Sequence, residues 1–219
     1  MRDGVERGET LGSQLASVLR HRIVRGDLQA GERITEEAVA EEFDVSRGPV
    51  RDAVSQLAYE GLVEIRRPRG VYVIGLSLDD VEQLYSLRGA LEQLALRRAM
   101  DITDDAAWRA VETCVERMAV AADRGDHADF QRADLAFHTL FYELARHPRL
   151  LATWRQYEPT FSALLEVTIN HDDDLHESAQ SHRVLYGLAR SGDPDRAAAE
   201  LADHLARAEA RMRLELAAR

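Results

Sequence analysis

The chain has 219 residues and a formal net charge of −11 at pH 7. Its length allows one large domain or two modest ones, and 45% hydrophobic residues is enough for a buried core. No apolar run approaches 18 residues, and residues 1–10 are polar and charged, so neither a membrane-spanning helix nor a secretory leader is expected, and the cytoplasm is the expected compartment. Cys114 is the only cysteine, which excludes a disulfide framework and a cysteine-based zinc site.

The charge is unevenly spread. Residues 1–76 carry 11 Arg against 13 acids, and residues 77–219 carry 17 against 26. Within residues 45–72 the sign reverses, with five Arg against three acids. A small basic face on an acidic chain fits a selective DNA reader and not a non-specific coat.

In chain order, residues 10–25 predict a helix with Leu11, Leu15, Val18, Leu19 and Ile23 on one face, stopped by Gly26. Residues 28–31 form a turn, and residues 35–43 a short helix with Ala38, Val39 and Phe43 on its apolar side. Val50, Val54, Leu57, Ala58 and Leu62 then recur at helical spacing, up to Gly61-Leu62. Ser46 is a good N-cap and Pro49 is tolerated in a first turn, so this helix starts at about Arg47. Its first turn displays Ser46, Arg47, Gly48 and Arg51. Guanidinium groups match guanine edges and phosphates, and a helix N-terminus favours a phosphate, which is the chemistry of a recognition helix. Two short β runs, residues 62–65 and 71–73, flank Arg66-Arg67-Pro68-Arg69-Gly70, a turn with arginines at its tip. Three helices and a basic hairpin make a winged helix-turn-helix, with the wing on phosphates or in a minor groove.

Ser77-Leu78-Asp79-Asp80 caps a second part without strand patterns. Helices are predicted over residues 78–100 (Val81, Leu84, Tyr85, Leu87, Leu91, Leu94 and Ala95 inward), about 104–123 capped by Thr103, 126–146, 148–171, 174–190, and from an Asp193-Pro194 cap to Leu216. Six helices with short connections give an antiparallel bundle. The fold is therefore mainly α, a winged helix-turn-helix over residues 1–76 followed by a helical bundle over 77–219.

Within that bundle Asp134 and His138 are four apart and share a helix face. His182 and His204 lie mid-helix among leucines. One carboxylate and three imidazoles on three helices suit a divalent transition metal, Zn²⁺ first with Ni²⁺ or Mn²⁺ as alternatives, with coordination positions left for water or a ligand carboxylate. Arg88 and Glu92 interrupt the stripe of the first bundle helix; Arg88 either takes an effector carboxylate or forms an i,i+4 ion pair with Glu92.

The motif Val45-Ser46-Arg47-Gly48-Pro49-Val50-Arg51-Asp52-Ala53-Val54, with Glu60-Gly61-Leu62-Val63 and Gly70-Val71-Tyr72-Val73, closely resembles the N-terminal domain of GntR-family transcriptional regulators. The resemblance implies DNA contacts from Ser46, Arg47, Gly48 and Arg51 on the recognition helix and from Arg69 and Gly70 on the wing. Glu37 stands where some members carry another DNA-touching arginine. The second part resembles the effector domain of the FadR subfamily, the FCD type, in its shorter six-helix VanR-like form. The carriers are Asp134-x3-His138, Ser181-His182 leading to Leu188-Ala189-Arg190-Ser191-Gly192-Asp193, and His204-Leu205. By that resemblance Asp134, His138, His182 and His204 are metal ligands. The resemblance implies a homodimeric repressor that binds a two-fold-symmetric double-stranded DNA operator, does not engage a membrane, and responds to a small carboxylate at its metal. The alternative, a metal-dependent hydrolase using the same Asp/His site, lacks an HExxH motif and leaves the DNA head unexplained.

Overall fold

The computed structural model describes residues 10–66, 68–170 and 174–218. The chain divides into two compact units at the Leu76/Ser77 junction.

In the first unit Thr10 opens α1 (Leu11–Arg25), its hydroxyl accepting from the Ser13 amide, and Gly26 ends the helix in the left-handed conformation. Leu15, Leu19 and Ile23 are buried, but Leu11 and Val18 are 46% and 39% exposed. The inward face is rotated from the predicted one and includes Ala16, Arg20 and Val24. That rotation buries a charge. Arg20 Nε and Nη2 donate to the two oxygens of Glu60 at 2.7 and 2.6 Å, a bidentate pair out of water. Gly12 permits a close approach: a Cβ there would lie 2.8 Å from Asp52 Cβ and 3.3 Å from the Pro49 carbonyl oxygen. α1 thus packs directly across α3 (Arg47–Tyr59).

β1 (Arg33–Ile34) joins a three-stranded antiparallel sheet ordered β1-β3-β2, with β2 at Val63–Arg66 and β3 at Gly70–Val73. Two residues are too short to show a period, so the sequence pattern carried no sign of this strand. α2 (Glu36–Glu42) starts at its Thr35 cap and stops before Phe43. Val39 is its buried residue; Ala38 is exposed, and Ala40 packs on the core in its place. Val50, Val54, Leu57, Val71 and Val73 complete the core that holds α3 against the sheet.

The second unit contains α4 (Leu78–Met100), α5 (Asp105–Arg124), α6 (His127–Leu144), α7 (Pro148–Asn170), α8 (Leu175–Arg190) and α9 (Pro194–Ala217). Ser77 and Asp80 form a reciprocal capping box at the head of α4. Asp104, and not Thr103, caps α5. α6 ends at Leu144, short of the predicted Arg146, because Arg146 adopts φ +49° and cannot continue a right-handed helix. His171, the predicted end of α7, lies outside the described residues. α7 also accommodates Pro159 in its interior, where the ring removes the bond to the Arg155 carbonyl.

The buried face of α4 is Val81, Tyr85, Arg88, Glu92, Ala95, Leu96 and Ala99. Leu87 and Leu94, predicted inward, are 38% and 44% exposed. The periodicity was misplaced because two charged residues occupy the centre of the bundle; each neutralises the other there, and the leucine stripe falls to one side. Around α4 pack α9, α6 and α7, with α5 packed on α6 and α8 lying against α5 and α9. Phe130, Phe137, Phe141, Trp108 and Trp154 fill the interior.

Candidate functional site

Two groups of residues carry chemistry, one in each unit. In the first, α3 begins at Arg47 with Ser46 as N-cap, and the Ser46 hydroxyl makes no capping hydrogen bond. Ser46, Arg47, Gly48 and Arg51 are all exposed. Arg51 Nε donates to Glu36 at 2.7 Å, and Arg47 lies 3.0 Å from Glu37. The preceding helix therefore supplies carboxylates to the arginines of α3, a pairing that sequence reasoning missed even though it singled out Glu37. Surface residues ten (Glu37 and Arg47) and fifteen (Glu36 and Arg51) apart give no periodic signal, so only the turn geometry brings them together. Glu36, Arg51, Ser55, Arg66, Pro68 and Gly70 line one cleft of 480 Å³, so the recognition helix and the wing face a common space.

The wing departs from prediction in detail. Arg66 sits at the end of β2, paired with Glu64 at 2.8 Å and stacked 5.0 Å from the Tyr72 ring centre, and not at the tip. Arg67 lies outside the described residues. Arg69 is exposed, and its carbonyl accepts from Tyr72 Oη at 3.2 Å. Gly70 adopts φ +115°, which an L side chain rarely reaches, and a Cβ there would lie 2.9 Å from Arg33 Nε.

In the second unit the structure brings together three of the four predicted metal ligands, His138, His182 and His204, with Asp134 beside His182 and His138 but outside that mutual set. Asp134 and His138 project from α6, His182 from α8 and His204 from α9, and all are buried. One ligand atom from each of His138, His182 and His204 falls within 4.8 Å of the others. The outer side of each ring explains why. His138 Nδ1 donates to Glu92, His182 Nδ1 donates to the Ser178 carbonyl at 2.8 Å, and His204 Nδ1 lies 3.0 Å from Ser181 Oγ, which itself accepts from Arg207. Carboxylate and carbonyl oxygens only accept, so the rings of His138 and His182 carry a proton on Nδ1 and turn Nε2 inward.

The inner contacts fit a cation. His138 Nε2 and His204 Nε2 face each other at 3.3 Å. His182 Nε2 lies 3.1 Å from Asp134 Oδ2. Asp134 Oδ1 lies 3.7 Å from His138 Nε2. Burial lowers the pKa of both His138 and His204, so these imidazoles are neutral and able to ligate. Burial opposes ionisation of the Asp134 carboxyl, and the buried Arg88 guanidinium is among the groups that favour it and hold it below the usual carboxylate range. Lone pairs and a carboxylate converging in a dry interior suit a divalent metal.

Arg88 realises the ion-pair alternative: its Nε donates to Glu92 Oε2 at 3.0 Å, with the guanidinium carbon 5.6 Å from the Trp154 ring centre and 5.0 Å from that of Phe161. Its terminal Nη groups make no hydrogen bond among the described residues. Among the described residues, Tyr142, one turn beyond His138 on α6, keeps a buried hydroxyl without a partner, as does Thr160. Neither hydroxyl stood out in the sequence, where a tyrosine or threonine in an apolar helix carries no mark of its hydrogen-bonding state.

Two family models match the chain. That of the bacterial regulatory proteins of the gntR family matches residues 11–73, and that of the FCD domain matches residues 83–207. The chain belongs to the gntR family and carries an FCD domain. A relative in Paenarthrobacter nicotinovorans, named "Probable D-xylose utilization operon transcriptional repressor", is 30% identical over 90% of this chain and 86% of its own length. The gluconate operon transcriptional repressor of Bacillus subtilis is 30% identical over 70% of this chain, the match spanning 63% of the relative. Among solved structures, E. coli McbR/YncC aligns over 93% of this chain and 97% of its own with a TM-score of 0.72 and 18% identity, a likeness of fold. This gntR-family chain is a transcriptional regulator and not an enzyme, so the hydrolase alternative is not favoured. No helix among the described residues is long and apolar enough to cross a membrane.

Proposed function

We propose that this protein is a homodimeric transcriptional repressor of the FadR subfamily, in the six-helix VanR-like group, that senses a small carboxylate at a divalent metal, zinc first. Residues 1–76 read a two-fold-symmetric operator through Ser46, Arg47, Gly48 and Arg51 in the major groove, with Arg69 and Gly70 placed against the backbone. Residues 77–219 bind the effector and the second subunit. Leu87 and Leu94, seven apart on α4, flank the half-buried Leu84 and Leu91, an apolar seam that a second copy would cover.

The observation that carries the sensing role is the set of three buried imidazoles with inward Nε2 atoms. Asp134, His138, His182 and His204 hold the metal, which when bound supplies a Lewis-acidic anchor for a carboxylate. Charge favours that ligand. Asp134, Glu92 and Arg88 sum to one negative charge, so a divalent cation leaves one positive charge, which a single carboxylate neutralises. Arg88 presents its Nη groups to the same carboxylate. The effector acts on DNA binding only through its different affinity for the two arrangements of the protein.

Metal content of the purified protein and of His138→Ala tests this. About one metal per chain, lost in the variant, is expected; metal in neither overturns the sensing role and leaves the DNA-reading head untouched.

A further inference from the structure

The three imidazoles do not have equivalent outer partners. His182 leans on a backbone carbonyl and His204 on a serine hydroxyl, but His138 alone is held by a carboxylate, that of Glu92. Glu92 comes from a different helix, α4, and its side chain is fully buried. Its two oxygens are divided: Oε1 accepts from His138 Nδ1 and Oε2 from Arg88 Nε. Arg88 is in turn fixed by the rings of Trp154 and Phe161. The geometry is a chain, Arg88 to Glu92 to His138, that ends on the inward Nε2.

We infer that Glu92 is a positioning residue for the metal: held in place by Arg88, it fixes His138 as the Nδ1–H tautomer and raises the donor strength of Nε2. The inference rests on the metal-sensing reading above. A carboxylate behind a ligating imidazole sets the ring's orientation and basicity, and losing such a partner weakens metal affinity about 10–100-fold. If Glu92 existed only to neutralise Arg88, removing both charges together would leave metal affinity unchanged.

The test is zinc affinity by chelator competition, on the full-length chain, for wild type, Glu92→Gln and the paired Arg88→Met/Glu92→Leu. The paired variant removes both buried charges at once, so no unpaired guanidinium is left to unfold the bundle. Glu92→Gln keeps the size and one acceptor oxygen, and serves if the paired variant does not fold. Zinc affinity is expected to fall about 10–100-fold in the paired variant and less in Glu92→Gln. In parallel, ¹⁵N shifts of the metal-free histidines should show His138 as a single Nδ1–H tautomer in wild type and as a mixture in the paired variant. Wild type that binds zinc, with both variants binding within twofold of it, overturns the role of Glu92 and leaves the sensor reading standing. Wild type that binds no zinc overturns the sensor reading and this inference with it.

Discussion

Arg47→Ala separates base reading from mere attraction to DNA. In the free protein the guanidinium lies 3.0 Å from Glu37, with the two side chains 56% and 68% exposed. A pair so open to water contributes about 0.2–1 kcal/mol. A bidentate arginine–guanine contact contributes about 1–3 kcal/mol of discrimination. The net loss on substitution is therefore about 1–2 kcal/mol per half-site, roughly five- to thirtyfold in Kd. The assay is fluorescence anisotropy on a duplex selected by the wild-type protein from a random pool, with a scrambled duplex beside it, from 50 to 200 mM salt. Base reading predicts loss on the selected duplex alone, with little change in salt dependence. A uniform loss on both duplexes, with the salt slope lower by about one, makes Arg47 a phosphate contact. Binding within twofold of wild type on the selected duplex refutes any direct role. Glu37→Gln removes the competing carboxylate from the same face, and tighter binding is expected.

Glu60→Ala leaves Arg20 buried without its partner and should destabilise the first unit by about 3–5 kcal/mol in urea unfolding, whereas Arg20→Met with Glu60→Leu should restore most of that; equal stability of all three would refute the buried-pair account. Gly70→Ala places a Cβ against Arg33 at φ +115° and should cost about 1–3 kcal/mol in stability of the first unit, with weaker binding to DNA of any sequence; unchanged thermal unfolding would show that the wing relaxes without strain. Zinc at a hundredfold excess over its Kd should stabilise the bundle by about 2.7 kcal/mol, seen as a rise in Tm that a chelator reverses and His138→Ala abolishes.

Much of the fold was legible because its cues are local. Ser77, Asp126 and Asp193 cap their helices through their side chains, and Ser46 holds the N-cap position of α3 without a side-chain bond. Gly26 ends α1, and Pro194 opens α9 at a first-turn position. The errors come from long-range packing. The faces of α1 and α4 were placed by apolar periodicity, and in both helices a buried arginine shifts the true inward side. Arg20 could not be scored as interior without knowing that Glu60, forty residues on, would meet it, whereas the Arg88–Glu92 pair was legible from its i,i+4 spacing.

The candidate site divides along the same line. Asp134 and His138 are legible as a pair because one helix turn joins them, His182 and His204 as mid-helix imidazoles among leucines, and resemblance to a known domain gave weight to all four. What decides their chemistry is the outer side of each ring, and there the partners come from α4 and α8: Glu92, Ser178 and Ser181. Glu92 is 46 residues from His138, and its spacing to Arg88 pointed only to a helical ion pair. The ion pair exists, yet it uses one carboxylate oxygen and gives the other to His138. A buried carboxylate shared between a guanidinium and an imidazole is costly to assemble, since three polar side chains lose water together. Stability alone does not explain such an arrangement, because apolar residues of similar volume fill a bundle core at least as well. The arrangement is explained by orientation. With Nδ1 occupied by Glu92, His138 turns Nε2 toward His204 and Asp134, which is the orientation that the proposed metal site requires of it.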